Sequence, residues 1–174
     1  MEPFKKIETA RLSIRQLHCN DKQPFISLMT NEAITQNLAF DNSMKTEAGA
    51  LKVFNKTIDS YETKNPLLAF AVEHKSGNKF IGICGMSLVD KYSVEIFYAF
   101  LPDFWGKGFA TETLIRLKDY LATDKKLKKM HAYIRPSNIA SMKVAEKAEF
   151  VRKALVDKEY FDGKVYDYTF NNYR

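Results

Sequence analysis

Leu12 and Ile14 alternate with Thr9, Arg11, Ser13 and Arg15, and this period of two predicts a half-buried first strand over 9–15. Asn20-Asp21 then stands where a helix N-cap belongs, ahead of Phe25, Ile26, Leu28 and Met29 at helical spacing. Ala48, Leu51, Phe54 and Ile58 predict a second helix over 46–64, with Pro66 ending it. The middle of the chain is strand-rich. Runs at 67–72 and 80–88 flank the turn Lys75-Ser76-Gly77-Asn78. A further strand at 93–101 places Val94, Ile96, Tyr98 and Phe100 on one face and Ser93, Glu95, Phe97 and Ala99 on the other. A tight segment leads into a helix carrying Leu114, Leu117 and Leu121. A short strand at 130–134 and a helix from 137 to 148 follow. Two β-rich runs, 150–161 and 164–171, meet at Asp162-Gly163, a dipeptide that signals a hairpin. Helices mixed with locally antiparallel strands predict an α+β fold around one central sheet.

The 174 residues contain no repeat or linker and suit a single domain over 1–174. With 45% hydrophobic and 28% charged residues, the composition excludes disordered, collagen-like and coiled-coil classes. No apolar run reaches the ~18–20 residues that span a bilayer. The opening Met1-Glu2-Pro3-Phe4-Lys5-Lys6 lacks the apolar stretch of a signal peptide, so a cytoplasmic protein is expected. Cys19 and Cys84 make neither a disulfide framework nor a zinc site. Adding His18, His74 and His131 creates no ligand spacing beyond the adjacent His18-Cys19, so no metal is expected. The net charge of +6 points to an anionic partner, which composition leaves open among nucleic acid, membrane and a phosphate-bearing ligand.

The segment Trp105-Gly106-Lys107-Gly108-Phe109-Ala110-Thr111 carries the candidate chemistry. Glycines between a strand and a helix let the backbone approach a ligand, and the first helical turn offers unpaired N–H groups to phosphate oxygens. The P-loop pattern fails because Leu101 stands at its leading glycine and Gly108 where Ser or Thr is required. The dinucleotide fingerprint fails at Thr111, and the strand comes late in the chain. An ordinary strand-to-helix turn would carry the same glycines.

Residues around this segment resemble the GNAT superfamily of N-acetyltransferases, in particular its RimJ/RimL branch. The motif Gln/Arg-x-x-Gly-x-Gly/Ala is matched from Trp105 to Ala110, with Trp105 in the first position. Glu8-Thr9-Ala10-Arg11-Leu12-Ser13-Ile14-Arg15 resembles the branch's first strand. Glu95-Ile96-Phe97-Tyr98 resembles Glu-Ile-Gly-Tyr, and Asn138-Ile139-Ala140-Ser141 resembles Asn-x-x-Ser. Glu146-Lys147-Ala148-Glu149-Phe150 resembles Glu-Lys-x-Gly-Phe with Glu149 in place of the capping glycine, so that corner is strained or rebuilt. Asp162-Gly163-Lys164 with Asp167 resembles the closing hairpin.

The resemblance implies a mixed, mostly antiparallel sheet with a splayed strand pair, flanked by about four helices. It implies acetyl-CoA as cosubstrate and direct acetyl transfer to a primary amine, either a protein N-terminus or a small amine such as a polyamine. The pantetheine arm would lie between the strands at 93–101 and 130–134, its amides pairing with backbone near Phe100 and Leu101. The pyrophosphate would meet N–H groups from Trp105, Gly106, Lys107, Gly108, Phe109, Ala110 and Thr111, with added charge from Lys107. Asn138 would touch the arm, although it also reads as a plain N-cap. Glu95 would be the general base and Ser141 the proton donor to the thiolate. A salt-bridged Glu95 and a neutral first-turn Ser141 are the plain alternatives.

The variable pocket would draw on Phe25, Met29, Phe40, Phe54, Tyr160, Phe161 and Tyr166, although core packing accounts for most such residues. Cys84 has no histidine in motif relation and is rejected as a nucleophile. Two other functions stay open: a CoA-binding regulator without catalysis, and a basic ribosome- or nucleic-acid-binding module using Lys125, Lys126, Lys128 and Lys129. Lysines beyond a helix C-terminus also follow from the helix dipole alone, which disfavours the nucleic-acid reading. No membrane partner is expected, and the chain would act as monomer or homodimer.

Overall fold

In the computed structural model, which describes Phe4 and residues 6–173, eight strands form one sheet in the order β1-β2-β3-β4-β5-β6-β8-β7. The expectation on the opening hexapeptide falls largely outside the described residues. The strands are β1 (Ile7–Glu8), β2 (Leu12–Arg15), β3 (Ala69–His74), β4 (Lys79–Asp90), β5 (Ser93–Phe100), β6 (Lys129–Ile134), β7 (Val151–Lys158) and β8 (Gly163–Asn171). The helices are α1 (Lys22–Thr30), α2 (Glu32–Thr35), α3 (Glu47–Ser60), α4 (Phe109–Leu121) and α5 (Ile139–Lys147).

Every strand pairing is antiparallel except β5 with β6, which α4 connects as a crossover. That parallel pairing covers only Ser93↔Lys129, Val94↔Met130 and Glu95↔His131 before the strands part. The expected splay is therefore present, and it begins at Glu95.

The period of two along β5 sorts its side chains as predicted. Val94, Ile96 and Phe100 join Leu114, Leu117 and Leu121 of α4 and Met142 and Ala145 of α5 in one core. Ala99 joins Phe25, Leu28 and Met29 of α1 and Ala50 and Phe54 of α3 in a second core on the other face, with Phe97 packed against it. Burying each large apolar side chain contributes about 1.5–3 kcal/mol.

Four local expectations are corrected. The first strand is shorter, and it is buried on both faces: Ser13 is as inaccessible as Leu12 and Ile14. Asp21 is the residue before α1 but does not cap it with its side chain. Its carboxylate accepts instead from the His18 N–H at 2.9 Å and from the Arg15 guanidinium at 2.7 Å. The second helix starts on the Thr46 cap, whose hydroxyl accepts from the Gly49 N–H, but ends at Ser60. There Tyr61 turns inward, donates to the Ala69 carbonyl and accepts from the Leu17 N–H.

The fourth correction concerns the closing hairpin, which is not a two-residue turn. β7 stops at Lys158 opposite Gly163, and a 3₁₀ turn over Glu159–Phe161 followed by left-handed Asp162 joins the strands. Those extra residues carry Tyr160 and Phe161 back over the sheet.

Candidate active site

The parting of β5 and β6 opens a cleft of about 760 Å³. Glu95, Phe100, Trp105, Gly106, Gly108, Phe109, Ala110, Thr111, Asn138 and Ser141 all line it, so residues spread over 47 positions of sequence meet in one place. Leu101 and Lys107 do not line it.

At one end, Gly106 and Gly108 have φ of +71° and +80°, a region that disfavours side chains, while a Cβ on Gly106 would meet no neighbour. Conformation, not space, demands glycine there. Gly108 is the N-cap of α4, and Glu112 makes the helix's first return bond to its carbonyl at 3.0 Å. The N–H groups of Phe109, Ala110 and Thr111 precede that bond, so they lack helical acceptors and give the cleft a positive wall.

The loop is held from outside by the segment before β2. Arg11 donates to the Lys107 carbonyl at 3.0 Å and to Glu112 at 2.7 Å, and its guanidinium lies 4.4 Å from the Phe109 ring centroid. Glu112 also accepts from the Thr9 hydroxyl and the Arg11 N–H. Burial alone would raise the Glu112 carboxyl, but these donors outweigh it and hold the group below the ordinary carboxylate range. The Lys107 ammonium lies 5.7 Å from the Phe104 ring.

Trp105 folds back along the cleft, and its indole N–H donates to the Phe100 carbonyl at 2.7 Å. The Leu101 N–H donates to the Ile81 carbonyl at 2.9 Å. Both backbone groups at the end of β5 thus have partners within the chain.

On the α5 side, the Asn138 carboxamide oxygen accepts from the Ser141 N–H at 3.1 Å, the bond of a plain N-cap. That bond uses the oxygen only and leaves the amide nitrogen available to a second partner. The Tyr98 hydroxyl donates to the Ser141 carbonyl at 3.4 Å, and burial pushes the Tyr98 phenol well up. Tyr98 thus ties β5 to the first turn of α5.

At the far end, Glu95 is half-buried and accepts from the Tyr160 hydroxyl at 2.7 Å. Burial raises the Glu95 carboxyl, against the lowering effects of that bond and of Lys158 and His131. Phe40, Phe97, Tyr133 and Phe161 complete this end. Of the other aromatic candidates, Phe25 and Phe54 lie in the second core with Met29, and Tyr166 packs against the first. Cys84 is wholly buried, and desolvation pushes its thiol far up. Among the described residues no His, Cys, Asp and Glu group could hold a metal, and no helix is long and apolar enough to cross a membrane.

Arg11, His131 and Asp167 are the site neighbours that periodicity could not reveal, whereas the period of two places Tyr98 on its strand face. Only the Glu8–Arg15 and Asp162–Asp167 motifs hinted at two of them.

This geometry has parallels. The chain is 26% identical over 167 residues to the uncharacterized N-acetyltransferase p20 of Bacillus licheniformis, covering 94% of this chain and 93% of that one. Its fold matches RimL, the ribosomal L7/L12 α-N-protein acetyltransferase in complex with coenzyme A, with TM-score 0.77 and 17% identity over 96% of this chain and 98% of the other. It also matches spermidine N-acetyltransferase from Vibrio cholerae in complex with CoA and spermine, with TM-score 0.76 and 21% identity over 94% of this chain and 97% of the other. The model of the acetyltransferase (GNAT) domain aligns with residues 11–151, which take in the cleft apart from Tyr160 and Phe161 and run from the residue before β2 to the start of β7. The chain is a member of the GNAT acetyltransferase family.

Proposed function

We propose that the protein transfers the acetyl group of acetyl-CoA directly to a primary amine carrying a single positive charge, in the cytoplasm. The observation that carries this reading is the continuity of the cleft: unpaired N–H groups at the start of α4 lie at one end and the half-buried Glu95 at the other. A pyrophosphate fits a donor set made of backbone N–H groups behind two left-handed glycines. Lys107 adds charge from just outside the lining, and the Asn138 amide nitrogen and the second lone pair of the Phe100 carbonyl hold the arm, since the Leu101 N–H is already given to Ile81. Acetyl-CoA, once bound, supplies an activated thioester.

The chain's own groups then have separate tasks. Glu95 takes a proton from the acceptor ammonium, and its desolvation makes the carboxylate a stronger base than an exposed one. Ser141 returns a proton to the departing sulfur. The parted strands hold the reacting atoms together and exclude water.

Charge on the lining favours a monoamine, such as a peptide N-terminus, over a polyamine. Glu95 is the only carboxylate there among the described residues, whereas Lys143 and Lys147 also line the cleft. A polyamine with several charges would meet one anion and two cations.

Thiol release measured across spermidine, small monoamines and N-terminal peptides tests this. Turnover is expected with a monoamine or peptide, lost with Glu95→Gln and lowered with Ser141→Ala at unchanged acetyl-CoA affinity. Spermidine as the best acceptor would overturn the assignment of acceptor. Calorimetric binding of acetyl-CoA without transfer to any amine would leave a non-catalytic CoA-binding protein.

A further inference from the structure

We propose that His131 and Asp167 form the outlet through which the proton collected by Glu95 leaves the filled cleft. The inference rests on the acetyltransferase reading and adds two positioning residues to it.

The sheet itself assembles the path. Registered neighbours on adjacent strands share a face, with strands about 4.8 Å apart. Ser87, Glu95, His131 and Thr169 form one such row across β4, β5, β6 and β8. Glu95↔His131 is the last pair before β5 and β6 separate, so the imidazole sits beside the base at the inner end of the cleft.

His131 Nδ1 lies 2.9 Å from Asp167 Oδ1, and the two side chains are 13% and 17% exposed. The Thr169 hydroxyl donates to the same carboxylate oxygen at 3.0 Å, and the Tyr133 ring stacks on the imidazole at 5.6 Å and 12°. With Nδ1–H given to Asp167, the neutral ring carries its lone pair on Nε2, the nitrogen left to receive a proton.

Other titratable groups surround the ring. Glu95 faces it from β5, Asp90 acts on it from the end of β4, Tyr133 shares its strand, Asp167 lies on β8, and Lys158 of β7 and Tyr160 of the following turn close the group. Burial alone would raise the Asp167 carboxyl. The bonds from His131 and Thr169 outweigh burial and keep it below the ordinary range, so it stays an anion able to hold an imidazolium.

The protons balance. The acceptor ammonium loses one proton to Glu95, which passes it to His131 Nε2 and so to water. The freed nitrogen lone pair bonds to the thioester carbon and the C–S bond breaks. A second proton from the nitrogen ends on the sulfur by way of Ser141. The Tyr160 hydroxyl, on a half-exposed side chain bonded to Glu95, offers a competing route, and the pH profiles of the His131 and Asp167 variants decide between the two.

The experiment is the pH profile of turnover for His131→Gln and Asp167→Asn in the full chain, with an amine that the wild type acetylates. His131→Gln is expected to lower turnover about tenfold or more near neutral pH, within the range set by single proton-transfer groups. The deficit should shrink at alkaline pH, where the amine sheds its own proton, and added imidazole should restore part of it. The KM for acetyl-CoA should not move. Asp167→Asn should give a smaller deficit of the same shape, and it stands as the second variant should His131→Gln fold poorly. A wild-type profile in both variants overturns the outlet, as does a deficit that is equal at every pH and unmoved by imidazole. A wild type that acetylates no amine overturns the acetyltransferase reading, and the outlet falls with it.

Discussion

The ring of Phe97 lies across the Cα of Gly85, its registered partner on β4. A Cβ on Gly85 would sit 2.5 Å from Phe97 Cζ and 2.3 Å from the Leu68 carbonyl oxygen. Phe97 stands where the family pattern has glycine, so the bulk gained on one strand is matched by a side chain absent from its neighbour. Gly85→Ala is expected to destabilise the protein by about 1–3 kcal/mol through overpacking, read as a fall in Tm of several degrees. An unchanged Tm would show that the ring yields freely.

Arg11 braces the glycine loop through the Lys107 carbonyl and Glu112. Arg11→Met should weaken acetyl-CoA binding about 5- to 30-fold, the equivalent of one or two kcal/mol, with kcat preserved. Arg11→Lys should restore little, since an ammonium cannot reproduce the planar fork. Gly108→Asp should weaken binding further, because it places a side chain at φ +80° and a negative charge facing the pyrophosphate. Calorimetry reads all three.

The sign of the acid response follows from Glu112. Its carboxyl is lowered in the folded chain, so the stability it contributes is complete above the ordinary glutamate value of about 4.3 and is lost as pH falls through the lowered value. Protonation there releases Thr9 and Arg11. Tm measured from pH 6 downward should fall less steeply in Glu112→Gln than in the wild type, from a lower starting point.

Glu149 sits at φ +69° after α5. The Phe150 N–H returns to the Ala145 carbonyl and the Glu149 N–H to Glu146, the two bonds of a Schellman cap. The motif is thus kept and strained, not rebuilt, and the Glu149 carboxylate pairs with Lys118, whose side chain is 6% exposed. Glycine at 149 relieves the strain but strips the buried ammonium of its nearest carboxylate, leaving Asp119 at 3.9 Å and the Phe170 ring at 4.7 Å. Glu149→Gly should therefore be close to neutral alone and raise Tm by a few degrees in a Lys118→Met background. Equal stabilisation in both backgrounds would mean that the ion pair has no weight.

What was legible in the sequence is what depends on near neighbours. Leu114, Leu117 and Leu121, the two faces of β5 and the glycines at 106 and 108 each declare themselves within one turn or one strand. The Arg11–Glu112 bond spans 101 positions and His131–Asp167 spans 36, so neither leaves a local trace. Asp21 misled because an aspartate before a helix is the usual cap, and nothing local shows that Arg15 takes it instead. Asp162-Gly163 misled in the same way: it marks a reversal but not how many residues precede it, and those residues decide where Tyr160 points.

Three register pairs are all that stitch β6, β8 and β7 to the rest of the sheet along the β5 edge. The sheet is thus two leaves sharing a short spine, backed on one face by a core common to both, and any ligand lying in the gap would act as the thread that closes the remainder. Occupancy of the cleft should then be felt as mechanical cohesion, with amide exchange slowed along both facing edges, at Ala132 and Ile134 as much as at Ile96 and Phe100. A protein built this way couples how tightly it is held together to how full it is.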